Sequence, residues 1–274
     1  MINRGWLRQL PAVLVAAVMV VPLLLMVVGS LRPAGQPPQG LEILPAEPTL
    51  DAYRRLPDFI PVLTYLVNST VVATAAVMIT VLVASWAGFG IRLLPRQARR
   101  AAIVVSLLLM LVPVTAVWTT RFALFRSVGV IDTWVPLLAP ALAATSPFFV
   151  LVYAWSFTGI ADNQLAAARL EGASAWRMWW ALAMPQAKPA TLAVAVLAFT
   201  AHWANFIDPL LYLDSQSLYT LPIGLRTLQL LNPTDFPLLL AGAVIATLPP
   251  VLVFLLAQRR LLDDPLRRLR EARP

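Results

Sequence analysis

Charged residues leave six long gaps along the chain, between Arg8 and Arg32, Asp58 and Arg92, Arg100 and Arg121, Asp132 and Asp162, Lys188 and Asp208, and Asp235 and Arg259. A helix needs about 20 mostly apolar residues to cross a hydrocarbon layer about 30 Å thick. Even the shortest gap, residues 189–207, is long enough. The pattern predicts an all-α membrane protein with six transmembrane helices, near 10–31, 67–89, 101–120, 135–156, 189–209 and 238–257. They form one membrane domain over residues 1–274. The first apolar stretch, Leu10 to Leu31, exceeds the about 7–15 residues of a signal-peptide core and is followed by no clear A-x-A site, so it is expected to stay as an anchor.

Composition agrees. Hydrophobic residues make up 59% of the chain and charged residues 12%, about half the charge of a soluble domain. So little polar surface cannot cover so much apolar surface, and lipid must be part of the solvent. Cysteine is absent, which excludes disulfides, thiolate nucleophiles and thiolate metal sites.

The net charge of +8 follows from topology. With the N-terminus inside, 15 of the 21 basic residues are cytoplasmic: Arg4, Arg8, Arg92, Arg96, Arg99, Arg100, Arg169, Arg177, Lys188 and six from Arg259 to Arg273. The positive-inside rule selects this arrangement, with both termini cytoplasmic. The arginines sit at helix ends, with no basic stripe interleaved with stacking aromatics, so nucleic acid is not the expected partner.

Extracytoplasmic segment 32–66, with many prolines and mixed charges, is expected to be extended with short helical pieces, and another, about 210–235, contains TLPIGLRTL. A third, 121–133, reads as a short amphipathic helix ending at Gly129. Cytoplasmic loop 91–100 reads as a basic turn. The cytoplasmic segment 157–188 is more informative. Gln164–Leu170 are strong helix formers, and Gly172 stands where a left-handed terminator belongs. Ser174 is a plausible cap for a second helix running to Pro185. Two short helices joined by a sharp turn under the membrane suggest a docking knob, and the small Ala166, Ala167 and Ala168 would allow close approach of another protein. An ordinary helical hairpin fits the same spacing. Trp176, Trp179 and Trp180 suit the membrane interface.

No phosphate-binding G-x-x-x-x-G-K-[ST] motif occurs, and His202 is the only histidine, so multi-histidine metal sites are excluded. Gly88-Phe89-Gly90 reads as the end of a membrane helix, and the acceptor pattern Asn68-Ser69-Thr70 opens one. Polar residues inside lipid mark water pathways or interhelical ties. In the fifth span His202, Asn205 and Pro209 recur at helical spacing, with Phe206 on the same face and Asp208 beside them at the outer end. Thr115 and Thr119 lie four residues apart in the third span. These six polar and aromatic residues, Thr115, Thr119, His202, Asn205, Phe206 and Asp208, are the candidate lining of a solute path.

The segment AAARLEGAS followed by ALAMP is similar to the EAA loop of carbohydrate-uptake ABC importers. Asn68-Ser69, MLVP (Met110–Pro113), VGVIDTW (Val128–Trp134), TLPIGL (Thr220–Leu225) and LPP with Gln258-Arg259 fall in the same order as in that family. From about residue 10 to 262 the chain resembles the smaller permease subunit of the maltose and glycerol-phosphate type. The resemblance implies a type I ABC importer permease in the bacterial cytoplasmic membrane, itself without catalysis or cofactor. Its implied partners are a second homologous permease, an ATPase dimer using ATP and Mg, and an extracytoplasmic solute-binding protein. Ala166, Ala167, Ala168, Arg169, Glu171, Gly172, Ala173 and Ser174 would dock into the ATPase. The implied solute is a sugar or sugar derivative, amino sugars included.

The chain departs from the family where Ala166 replaces the usual Glu, Glu171 the usual Asp, and Trp203-Ala204-Asn205 the usual Trp-Asn-Glu. Its C-terminal end is an acidic-then-basic tail in place of a Gly-rich one. A same-architecture permease for a non-sugar solute is one alternative. A polytopic membrane transferase is another, and it would need a richer acidic or histidine cluster near one membrane face than Asp162 and Glu171 supply.

Overall fold

The computed structural model describes residues 5–35, 45, 47–142 and 146–271, and their side chains from residue 11 to 259 except residue 12. Residues 36–44 and 46 of the predicted segment 32–66, residues 143–145 of the predicted fourth span and the tail side chains lie outside that description. Every regular element among the described residues is helical. In chain order these are α1 (Gly5–Ser30), α2 (Asp51–Phe59), α3 (Val62–Leu93), α4 (Arg96–Leu109), α5 (Trp118–Val128), α6 (Val135–Leu142) and α7 (Pro147–Ser156). They continue with α8 (Asp162–Leu170), α9 (Ala175–Met178), α10 (Met184–Gln186), α11 (Lys188–Trp203), α12 (Ile207–Tyr212), α13 (Leu221–Leu231) and α14 (Phe236–Glu271).

Four stretches among the described residues are long and apolar enough to cross a membrane: Val13–Ser30, Val62–Leu93, Val135–Gly159 and Phe236–Arg259. Two more qualify only as bent pairs, α4 with the helix Val114–Val128 and Ala175–Gln186 with α11, each bent by 84°. Prolines account for both bends. Pro113 has no N–H to give and disfavours helical backbone at Val112; a single 3-10 turn, Val114–Val117, follows it. Pro185 and Pro189 flank Ala187 in the same way. A π-helical turn, Trp179–Ala183, precedes Pro185, where the missing N–H disturbs the regular ladder. The predicted third span, 101–120, thus contains a sharp corner. The predicted fifth span, 189–209, is interrupted after Trp203, because α11 ends there and α12 restarts at Ile207.

The chain divides into two compact units. The first comprises Met1–Leu66 and Thr220–Pro249. Within it Arg55 pairs with Asp235 at 2.9 Å, Ser30 Oγ and Tyr53 Oη are 2.7 Å apart, and Gly224 lies directly against the Tyr65 ring. Leu56, Leu221, Leu228 and Leu238 are fully buried there. Helix α1, by contrast, turns Val13, Leu14, Val18, Met19 and Leu24 outward, as expected of a helix facing lipid.

The second unit, Val67–Tyr219 and Pro250–Pro274, carries the candidate site. Its core gathers Phe89, Tyr153, Phe157, Ile160, Leu165, Met178, Trp179 and Val194. Helix α3 does not end at the glycine pair, as the sequence suggested, but runs through it to Leu93. The reason is packing. A Cβ on Gly88 would meet Tyr153 Cβ at 2.7 Å and the Ala154 nitrogen at 2.8 Å, so Gly88 lets α3 and α7 touch backbone to backbone. Gly90 has open space instead. Gly88→Ala is therefore expected to destabilise the protein by about 1–3 kcal/mol through overpacking. Gly90→Ala should be neutral or stabilise it by about 0.5–1 kcal/mol. Thermal unfolding of the purified variants in detergent checks the contrast, and equal melting temperatures would contradict it.

Candidate functional site

Segment 157–188 folds as two helices around a tight turn. Helix α8 starts at Asp162, and its end is a complete Schellman motif: Ala173 N–H donates to Ala168 O at 2.9 Å and Gly172 N–H to Arg169 O at 3.0 Å. Gly172 takes φ +73°, the left-handed conformation this motif requires. Ser174 Oγ then accepts from Arg177 N–H at 3.3 Å and starts α9. The turn projects Ala166, Ala167, Arg169, Glu171, Gly172 and Ser174 to the exterior, while Ala168 and Ala173 lean on the core. Leu170 at the tip is 91% exposed. Leu165, Met178 and Trp179 are buried beneath and hold the knob in place.

The base of the knob is tied to α3. Arg92, buried near the end of that helix, donates from Nε to Phe157 O at 3.1 Å and from Nη2 to Ile160 O at 2.8 Å. The same Nη2 donates to Asp162 Oδ1. This last hydrogen bond from Arg92, then its charge, holds the Asp162 carboxyl below its ordinary range. Arg99 of α4 donates to Arg92 O and Leu94 O. Two turns earlier Trp179 Nε1 donates to Ser85 Oγ at 3.3 Å. The sequence marked Arg92 only as a topological charge; its position at the end of one apolar gap, with Asp162 at the end of a later one, was the available signal.

The residues proposed for a solute path do not form one stripe. His202 lines a cavity of about 140 Å³ together with Thr80, Ser146, Phe149 and Ala201, of which Thr80 and Ser146 had not been singled out. Asn205 lies off the helix, in the break between α11 and α12. Its Oδ1 accepts from Asp208 N–H at 3.2 Å, and its Nδ2 donates to Asp208 Oδ2 at 2.9 Å, so it caps the new helix. Asp208 Oδ1 stands 3.9 Å from Arg121 Nη1 of α5, whose guanidinium lies over the rings of Phe125 and Tyr212. Phe206 is half-buried within the break. Thr115 and Thr119 are exposed beyond the Pro113 corner and join neither group.

A further junction was invisible in the sequence. Asp132, at φ +60°, accepts from the N–H of Asp214 at 3.0 Å, the N–H of Ser215 at 2.8 Å and Ser215 Oγ. Trp134 Nε1 donates to Leu218 O at 3.1 Å. Asn68 Nδ2 donates to Ser217 O and Tyr219 O at 2.8 and 2.9 Å. Asn68, Asp132 and Trp134 thus hold the 214–219 segment, over a cluster formed by Val72, Phe125, Leu137 and Tyr212.

Residues 81–264 match the family described as binding-protein-dependent transport system inner membrane component. The chain is 26% identical over 265 residues to the arabinooligosaccharides transport system permease protein AraQ of Halalkalibacterium halodurans, covering 93% of this chain and 92% of that protein. It is 25% identical over 236 residues to the trehalose transport system permease protein SugB of Mycobacterium tuberculosis, covering 85% of each. Its fold is similar to that of a chain from a bacterial ABC transporter involved in the import of the acidic polysaccharide alginate, with a TM-score of 0.75 at 17% identity, covering 94% of this chain and 98% of that one.

The hydrogen bond from Ser215 Oγ, then those from the N–H groups of Ser215 and Asp214, hold the Asp132 carboxyl below its ordinary range. A carboxyl whose folded pKa is depressed contributes above its unfolded pKa and loses that contribution as pH falls through the folded one. Amide protection at Asp214 and Ser215 is therefore expected to stay constant from neutral pH down to the ordinary carboxylate range and to drop only below it. Asp132→Ala should remove the protection at all pH values, whereas Asp132→Asn, which tolerates positive φ, should retain part of it. Hydrogen exchange read by mass spectrometry in nanodiscs measures this, and unchanged protection in Asp132→Ala would refute the anchoring role.

Proposed function

This chain belongs to the family of binding-protein-dependent transport system inner membrane components, and we propose that it forms half of the membrane pathway of an importer for a sugar or sugar derivative. As a member it is a non-catalytic transport subunit that works with a solute-binding protein. Relatives named for arabinooligosaccharides, lactose, trehalose and sn-glycerol-3-phosphate support the solute class. The proposal places the chain as a six-span protein of the bacterial cytoplasmic membrane with both termini inside, each bent pair counting as one span. It pairs with a second permease, and a separate ATPase dimer uses ATP and Mg.

One observation carries the reading. The turn from Ala166 to Ser174 stands out from the second unit on a buried base, with Gly172 in the conformation that closes it. A projecting knob of small and mostly exposed side chains is what an ATPase cleft can grip. The lost Glu at position 166 leaves Arg169 and Glu171 as the charged groups exposed on that turn. His202, Thr80 and Ser146 supply polar groups, and Phe149 a ring, around a space much larger than the about 10–15 Å³ needed to hold one water. We assign that cavity to the solute path.

The test is the assembled importer in lipid nanodiscs. Its ATPase activity should rise with sugar-loaded binding protein and fall to the unstimulated level in Gly172→Pro, because proline fixes φ near −65° and removes the N–H that bonds Arg169 O. Gly172→Ala keeps that N–H and has open space for its Cβ. It should cost only about 1 kcal/mol of left-handed strain and keep most of the stimulation. Full stimulation in Gly172→Pro would refute the docking assignment.

A further inference from the structure

The docking knob is fastened to one membrane helix at two heights. At its start, Asp162, the first residue of α8, accepts from Arg92. Beyond its tip, Trp179 reaches Ser85 of the same α3. Ser85 and Arg92 are seven residues apart, so the two attachments are separated by about 10 Å along the helix axis. A single hydrogen bond is a pivot about which a knob can swing. Two attachments at that spacing resist rotation, and a displaced tip must carry the end of α3 with it.

Arg92 makes the lower attachment more than a surface ion pair. Its side chain is buried, and its other two bonds go to Phe157 O and Ile160 O, carbonyls where the chain leaves α7 for α8. One guanidinium therefore ties the ends of α3 and α7 to the first residue of the knob, with bonds from Nε and Nη2 running in fixed directions. A lysine ammonium cannot reproduce that fork. The Asp162 carboxylate itself is 91% exposed, so its fixed position comes from Arg92 and not from burial.

We propose that Arg92 is a positioning residue that, through Asp162, converts movement of the docking knob into movement of α3. The proposal rests on the importer reading above and adds the residue pair by which ATPase motion enters the membrane helices. Arg92 touches neither nucleotide nor solute. Its loss is expected to separate ATP hydrolysis from transport.

The experiment uses the complete assembly, with both permeases, ATPase and solute-binding protein, in proteoliposomes. Solute accumulated per ATP hydrolysed is measured alongside binding-protein-stimulated ATPase. Arg92→Lys should lower the transported-to-hydrolysed ratio about tenfold and Asp162→Asn about fivefold, while stimulated ATPase changes less than about twofold. Asp162→Glu, which keeps the carboxylate, should retain the wild-type ratio, and Arg92→Lys with Asp162→Asn should be no worse than Arg92→Lys alone. Because the Asp162 side chain is exposed, its variants fold and assemble even where Arg92→Lys does not, and they decide the matter. An unchanged ratio in Asp162→Asn, or transport and ATPase falling together in it, overturns the proposal. A wild-type assembly that hydrolyses ATP and accumulates no sugar would instead sink the functional reading.

Discussion

A backbone N–H or C=O in the hydrocarbon layer has no water to bond, so each break in a membrane helix must be repaired by the protein itself. In the second unit side chains make such a repair where α11 breaks, and they take up loose backbone groups at the helix ends as well. Where α11 stops, Asn205 caps the next helix through Asp208 N–H. Where the chain leaves α7, Arg92 takes the carbonyls of Phe157 and Ile160. Where the 214–219 segment carries only a single 3-10 turn, Gln216–Leu218, Asn68, Asp132 and Trp134 take its backbone groups. The polar residues that a hydropathy plot treats as interruptions are the ones that make an interrupted helix tolerable.

These repairs also link elements distant in sequence. Arg92 and Asp162 are 70 residues apart and Asp132 and Ser215 are 83 apart. A repair made by a side chain from another element makes the two elements move together, and that is the property a subunit without its own catalysis needs. In the proposed importer the knob between Ala166 and Ser174 receives force, and the buried core under it, which includes Leu165, Phe157 and Phe89, is too closely packed to absorb that force by deforming. Gly88 adds to this stiffness by bringing α3 and α7 into backbone contact.

The knob itself was legible in the sequence. Helix formers followed by Gly172 and Ser174 specify a Schellman turn and a cap through local hydrogen bonds, and the structure has both. The face bearing His202, Asn205 and Asp208 was legible only in part. Helical spacing held as far as Trp203, and the chain then left the helix because Asn205 could bond forward to Asp208. The third apolar gap likewise gave no sign that Pro113 would turn the chain by 84° and not merely kink it.

Apolar gaps and proline and glycine positions alone determined a helical membrane protein and the turn that ends α8. Those features depend on solvent and on residues within one or two turns of each other, which a linear pattern records. Tertiary structure alone decided that Arg92 would close on Asp162, that Asn68 and Asp132 would hold the 214–219 segment, and that Thr80 and Ser146 would share a cavity with His202. Each of those pairings joins residues from separate elements, and their meeting depends on how the helices bend and cross.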